Sequence, residues 1–154
     1  MNVEELYQQI ILDHYKAKHH SGLRDPHEAE VHHVNPSCGD ELTLRVHLDG
    51  DKVADISYDA EGCSISQAST SVMTDLVIGK PVSEAFELHE EFKTMMDSRG
   101  NYEPDEDVFE DAIAFVGVAK FPARIKCALL GWEAFRDAAL QAGAKAPAAH
   151  TVEP

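Results

Sequence analysis

The chain has 154 residues, 44% hydrophobic and 27% charged, the profile of one soluble globular domain rather than a disordered chain. Thirteen Lys and Arg stand against 28 Asp and Glu, a formal net charge of -15, which repels phosphate backbones and anionic bilayers and argues against nucleic-acid or membrane-surface binding. No apolar run approaches the roughly 20 residues of a bilayer span, and Met1 to Glu5 lack the basic-then-apolar pattern of a secretory signal, so a cytoplasmic protein is expected.

Val3, Leu6, Tyr7, Ile10 and Ile11 recur at helical spacing behind Asn2, a good N-cap, so the chain opens with a helix. A connector containing His and Gly follows over 16–30, and Val31 to Val34 suits one short strand. Leu42, Leu44, Val46 and Leu48 alternate with Thr43, Arg45, His47 and Asp49, the pattern of a half-buried strand. Asp49-Gly50-Asp51 turns the chain, and Ala54, Ile56, Tyr58 and Ala60 alternate again, which makes an antiparallel hairpin. After Cys63 the period lengthens. Ile65, Ala68, Val72 and Leu76 predict a helix ending at Gly79, with Pro81 beyond. Ala85, Leu88, Phe92 and Met95 predict another; 97–107 reads as a loop; Phe109, Ile113 and Val116 fit a short helix. Pro122 suits the first position of a last helix with the stripe Ile125, Ala128, Leu129, Trp132 and Phe135. Strands precede helices, so the class is α+β, with helices packed on one face of a small antiparallel sheet. One domain over 1–140 is expected, and the Ala-rich stretch 141–154 reads as a frayed tail.

Charge is uneven. Glu84 to Asp111 holds eleven acids and two bases, whereas Ala112 to Trp132 holds no acid and carries Lys120, Arg124 and Lys126. The run from Glu103 to Asp111 lacks the spaced acid-and-glycine pattern of a calcium loop and reads as a solvated face or a docking surface.

The chemistry is expected at the cysteines. Cys38, in Asn35-Pro36-Ser37-Cys38-Gly39-Asp40, precedes the first strong strand, and Cys63, in Glu61-Gly62-Cys63-Ser64, follows the second. The open end of the hairpin therefore brings Cys38, Asp40 and Cys63 close together. Cys127 shares a helix face with Arg124 and Gly131, off the apolar stripe, where it is able to meet that end. An odd cysteine count argues against a disulfide scaffold. Three thiolates and a carboxylate suit zinc, and equally an iron–sulfur cluster. Arg124 and Lys126, with no acid nearby, are expected to favour a thiolate. The spacing matches no standard zinc pattern, and buried packing is the ordinary role of a lone cysteine. The pairs His19-His20 and His32-His33 are poor chelates because adjacent side chains diverge, and His14 reads as a packed or capping residue on the first helix.

These segments resemble the IscU/NifU-like iron–sulfur cluster assembly scaffold superfamily. The likeness runs from about Leu6 to Phe135. It is carried by Leu6-Tyr7 through Asp13-His14-Tyr15, by Asn35 to Asp40, by Glu61-Gly62-Cys63-Ser64-Ile65-Ser66-Gln67-Ala68-Ser69, and by Phe121-Pro122-Ala123-Arg124-Ile125-Lys126-Cys127-Ala128. It implies a three-stranded antiparallel sheet with helices on one face, and one metal site built from Cys38, Asp40, Cys63 and Cys127. Cluster scaffolds of this superfamily carry a histidine directly before the third cysteine; here that position is Lys126. The segment around Asp97 to Asp107 is also typical of the SUF branch. Both features imply a zinc-holding sulfur acceptor, with a scaffold for a [2Fe–2S] cluster as the alternative and a purely structural zinc domain third. The implied partner is a pyridoxal-phosphate-dependent cysteine desulfurase of the SUF system, possession of whose persulfide sulfur passes to this chain; other SUF assembly proteins are further partners. On this reading the chain is a persulfide sulfurtransferase working with that enzyme rather than alone. Cys38, on a loop free to swing, is the expected acceptor, and Arg124 steadies Asp40 or orients the persulfide.

Overall fold

A computed structural model describes residues 2–144; the predicted tail lies outside them from 145 onward. The Asn2 side chain accepts from the Glu5 amide at 2.8 Å and caps α1 (Val3–Ala17). Three strands follow, β1 (Ala29–Asn35), β2 (Asp40–Asp49) and β3 (Lys52–Glu61), antiparallel in the order β1-β2-β3. Next come α2 (Ser64–Val77), α3 (Val82–Asp97), a single turn α4 (Glu106–Phe109), a 3₁₀ segment (Glu110–Lys120) and α5 (Pro122–Gln141). This is the expected α+β arrangement, a three-stranded antiparallel sheet with the helices on one face.

Along β2 the predicted alternation holds, with Leu42, Leu44 and Val46 buried. β1 is longer than Val31 to Val34, since Ala29 pairs with Val46 and Asn35 with Asp40. β3 departs from simple alternation. Its register with β2 shifts between His47 and Leu48, so that Val53 pairs with Leu48 and Ala54 becomes the extra residue of a bulge. Val53 therefore enters the core in place of Ala54.

The helix expected over Phe109, Ile113 and Val116 is instead largely 3₁₀. Phe109, Ala112, Phe115 and Val118 are all buried, and a winding of three residues per turn is what aligns positions spaced strictly by three. The core lies between the sheet and α2, α3 and α5, where Trp132 stacks on Phe92 with ring centroids 4.7 Å apart. α1 packs only through its C-terminal half, by way of Ile11, His14 and Tyr15, and leaves Val3 and Leu6 exposed. No helix among the described residues is long and apolar enough to cross a membrane.

Tyr58, at the centre of β3, is buried, and its hydroxyl lies against Ser71 without a well-directed hydrogen bond. Burial pushes this phenol up from 10.0 to about 12. Between those values the folded chain keeps a proton that the unfolded chain has lost. The stability contributed is full below pH 10 and declines as pH rises through the folded value. Tyr58→Phe is expected to flatten this alkaline loss, as read by urea unfolding midpoints across that window.

Candidate metal centre

Cys38 lies in the tight turn joining β1 to β2, where its amide donates to the Asn35 carbonyl at 3.3 Å. Gly39 takes a positive φ of 70° and reverses the chain, so that Asp40 begins β2 with its carboxylate fully buried. The hairpin register sets Glu41 opposite Glu61, which brings the first residues after β3 onto Asp40. The Cys63 amide donates to Asp40 Oδ1 at 2.8 Å, and Cys63 Sγ lies 3.9 Å from Asp40 Oδ2. Cys63 is the N-cap residue of α2, but its thiol makes no capping bond and is left for other use.

Cys127 closes the set from α5. Its Sγ is 2.7 Å from Cys38 Sγ, both thiols are free, and both sulfurs lie within 4 Å of the Ala123 carbonyl oxygen. One ligand atom from each of Cys38, Asp40 and Cys127 falls within 4.8 Å of the others, and Cys63 stands beside this triangle against Asp40. The structure thus brings the four predicted residues to one place.

Electrostatics correct one expectation. Arg124 and Lys126 are exposed, so neither drives Cys127 to a thiolate. Cys127 is fully buried rather than on a polar face, and its thiol is pushed up, first by desolvation and then by the neighbouring Cys38, Asp40 and Cys63. A group of this kind ionises when a cation occupies the site. Two or three soft sulfur donors and a carboxylate, at this spacing, suit a tetrahedral divalent ion of borderline softness, and zinc is the common example. Arg124 forms no side-chain hydrogen bond or ion pair among the described residues, so it does not steady Asp40 here.

Two further residues shape the site. Asn35 is buried and its Nδ2 lies 3.7 Å from Cys127 Sγ as a donor. Gly62, at φ 129°, packs its Cα so closely on Asp40 that a Cβ would sit 2.7 Å from the Asp40 Cα. A glycine directly before a cysteine is the sequence signal for this close approach; Asn35 carries no signal beyond a polar residue at a strand end. A groove elsewhere is lined by Glu84, Glu87, Glu91, Asp107 and Glu110.

A model described as the NifU-like N-terminal domain matches residues 6–128. The chain belongs to this family, the iron–sulfur cluster assembly proteins of the IscU and SufU type. Among its relatives, the zinc-dependent sulfurtransferase SufU of Bacillus subtilis is 44% identical over 134 residues, 86% of this chain and 88% of that protein. The iron–sulfur cluster assembly scaffold protein IscU of Streptococcus pyogenes serotype M1 is also 44% identical, over 136 residues, 88% of this chain and 84% of that one. A solved structure described as a SUF-system cluster assembly scaffold protein, from Fervidobacterium islandicum AW-1, superposes with a TM-score of 0.78 at 38% identity. It covers 89% of this chain and 98% of that one.

Proposed function

We propose that this chain is a zinc-dependent sulfur acceptor of the SUF type, which takes sulfane sulfur from the persulfide of a pyridoxal-phosphate-dependent cysteine desulfurase in the cytoplasm. The convergence of Cys38, Asp40 and Cys127, with Cys63 alongside, carries this reading. Bound zinc keeps its cysteine ligands deprotonated without redox chemistry of its own.

Cys38 is the acceptor. It is half-buried on a turn, within reach of a partner, whereas Cys127 is fully buried in a helix. Its thiolate attacks the outer sulfur of the donor persulfide. A bond forms between Cys38 Sγ and that sulfur, the donor's S–S bond breaks, and the desulfurase thiolate leaves with the electron pair. The proton on the outer sulfur stays on that sulfur as it is transferred, and no external oxidant or reductant is consumed. Asp40, Cys63 and Cys127 hold the metal. Arg124, exposed on the first turn of α5 and without an ionic partner among the described residues, is available to orient the incoming persulfide.

A second reading, a scaffold on which a [2Fe–2S] cluster is built and passed on, draws support from the equal likeness to a protein named IscU. Metal analysis of the protein as isolated, followed by desulfurase turnover with and without it, separates the two. Zinc together with faster turnover is the expected result; iron with visible absorbance would favour the scaffold, and zinc without stimulation a structural site.

A further inference from the structure

A second group of potential ligands lies at the far end of α2. Over the 12 residues from Cys63 to Asp75 that helix rises roughly 18 Å, so this group is separate from the thiols. At the end of α1, Lys18 and His20 both adopt left-handed backbone conformations, with φ of 48° and 65°. The resulting turn brings the His19 ring to 4.9 Å from that of His14. It is pinned to α2 by the His19 amide, which donates to Ser71 Oγ at 2.9 Å. His19 Nδ1 lies 2.6 Å from Asp75 Oδ2, and His20 Nδ1 lies 3.5 Å from Asp75 Oδ1. Ser71, Thr74 and Asp75 share one face of α2 by their spacing, so adjacent histidines of the turn meet a common carboxylate.

Hydrogen-bond partners assign the His14 tautomer. Its Nε2 is 2.9 Å from Asp111 Oδ2, an acceptor, so Nε2 carries the proton. In the neutral ring its Nδ1, 2.9 Å from the Ser71 hydroxyl, then carries the lone pair. A carboxylate holding one ring N–H while the other nitrogen faces a cluster of donors is the arrangement by which metal-binding histidines are oriented. His14 is also buried, so its ring is held by packing. Among the described residues, Asp75 and Asp111 have only histidines as ionic partners. With those imidazoles neutral, two negative charges stand there uncompensated by Lys or Arg.

We propose that His14, His19 and Asp75, whose ligand atoms lie within 4.8 Å of one another, form a second site for a divalent transition-metal ion such as zinc, clamping the end of α1 to α2. Two imidazoles and one carboxylate select zinc and similar ions over calcium or magnesium, which take mostly oxygen ligands. Asp111 acts through His14 as a positioning residue.

The test uses the full chain, stripped by chelator and re-equilibrated with micromolar zinc. His19→Ala and Asp75→Asn alter partly exposed positions, and each is expected to bind one zinc ion fewer per chain than wild type, whatever the occupancy of the thiols. Asp111→Asn is expected to weaken this zinc by about 10- to 100-fold. Zinc should also shift the ring ¹⁵N resonances of His14 and His19. Equal zinc content in wild type and His19→Ala, or ring resonances that zinc leaves unmoved, would overturn the site.

Discussion

Cys38→Ala is expected to abolish sulfur transfer from a cysteine desulfurase while leaving the fold intact. The side chain sits on a turn, outside the core, and its contacts are the Cys127 sulfur and the Ala123 carbonyl. Substitutions of this sort, away from packing and buried networks, ordinarily change stability by about 0.5 kcal/mol or less. The thermal unfolding of the metal-free protein should therefore hardly move. Transfer, by contrast, needs a thiolate within reach of the donor, and neither of the other two cysteines replaces it. Cys127 is buried, and Cys63 is tied through its amide to Asp40. The readout is desulfurase stimulation together with persulfide mapping by mass spectrometry after incubation with the desulfurase and cysteine. A variant that stimulates fully, or that carries the persulfide on Cys63 or Cys127, would move the acceptor role away from Cys38.

Gly62→Ala should destroy the metal centre without replacing any of its proposed donors. The backbone there has φ 129°, a conformation that residues other than glycine rarely adopt, and strain of this kind costs of order 1–3 kcal/mol. The new methyl would also meet Asp40, and one of the opposed atoms is the Asp40 Cα, at 2.7 Å. A side chain can rotate away from such a contact; a strand backbone paired with Asn35 cannot do so cheaply. Overpacking adds about 1–3 kcal/mol. The expected outcome is a lower denaturation midpoint together with loss of zinc after dialysis, because the displaced carboxylate no longer sits between the thiols. Asp40→Ala provides the comparison, losing zinc with no steric strain. Full zinc retention in Gly62→Ala would show that Asp40 is not held where the hairpin places it.

The two variants probe different layers of the same construction. Cys38 is the proposed reactive group, whereas Gly62 carries only shape. The hairpin gathers Cys38, Asp40 and Cys63 at its open end, and α5 brings Cys127 in against them.

Much of this was legible in local order. Strict alternation from Leu42 to Leu48 marked a strand with one buried face, because a pleated backbone turns successive side chains to opposite sides. The turn at Asp49-Gly50-Asp51 then forced a hairpin, and a hairpin necessarily joins the residues just before it to those just after it. For that reason Cys38, Asp40 and Cys63 were brought together by sequence reasoning alone. Asn2 as a cap and Pro122 as a first helical residue were likewise readable, since each acts within a turn of its own position.

What the order of residues could not decide depended on neighbours distant along the chain. The bulge at Ala54 is set by how β3 fits β2, and the tight winding after Glu110 by which side chains fill the core. The state of Cys127 was misjudged from its basic neighbours in sequence; its thiol responds instead to burial among Cys38, Asp40 and Cys63, which only packing creates. His14 and His19 meet Asp111 and Asp75 only because α1 lies against α2 and the 3₁₀ segment. Composition and periodicity thus determined the strands, the helices and three members of the thiol site, because those follow from short-range geometry. Tertiary structure alone decided burial, register and the meeting of distant donors, because desolvation and contact are properties of the packed chain.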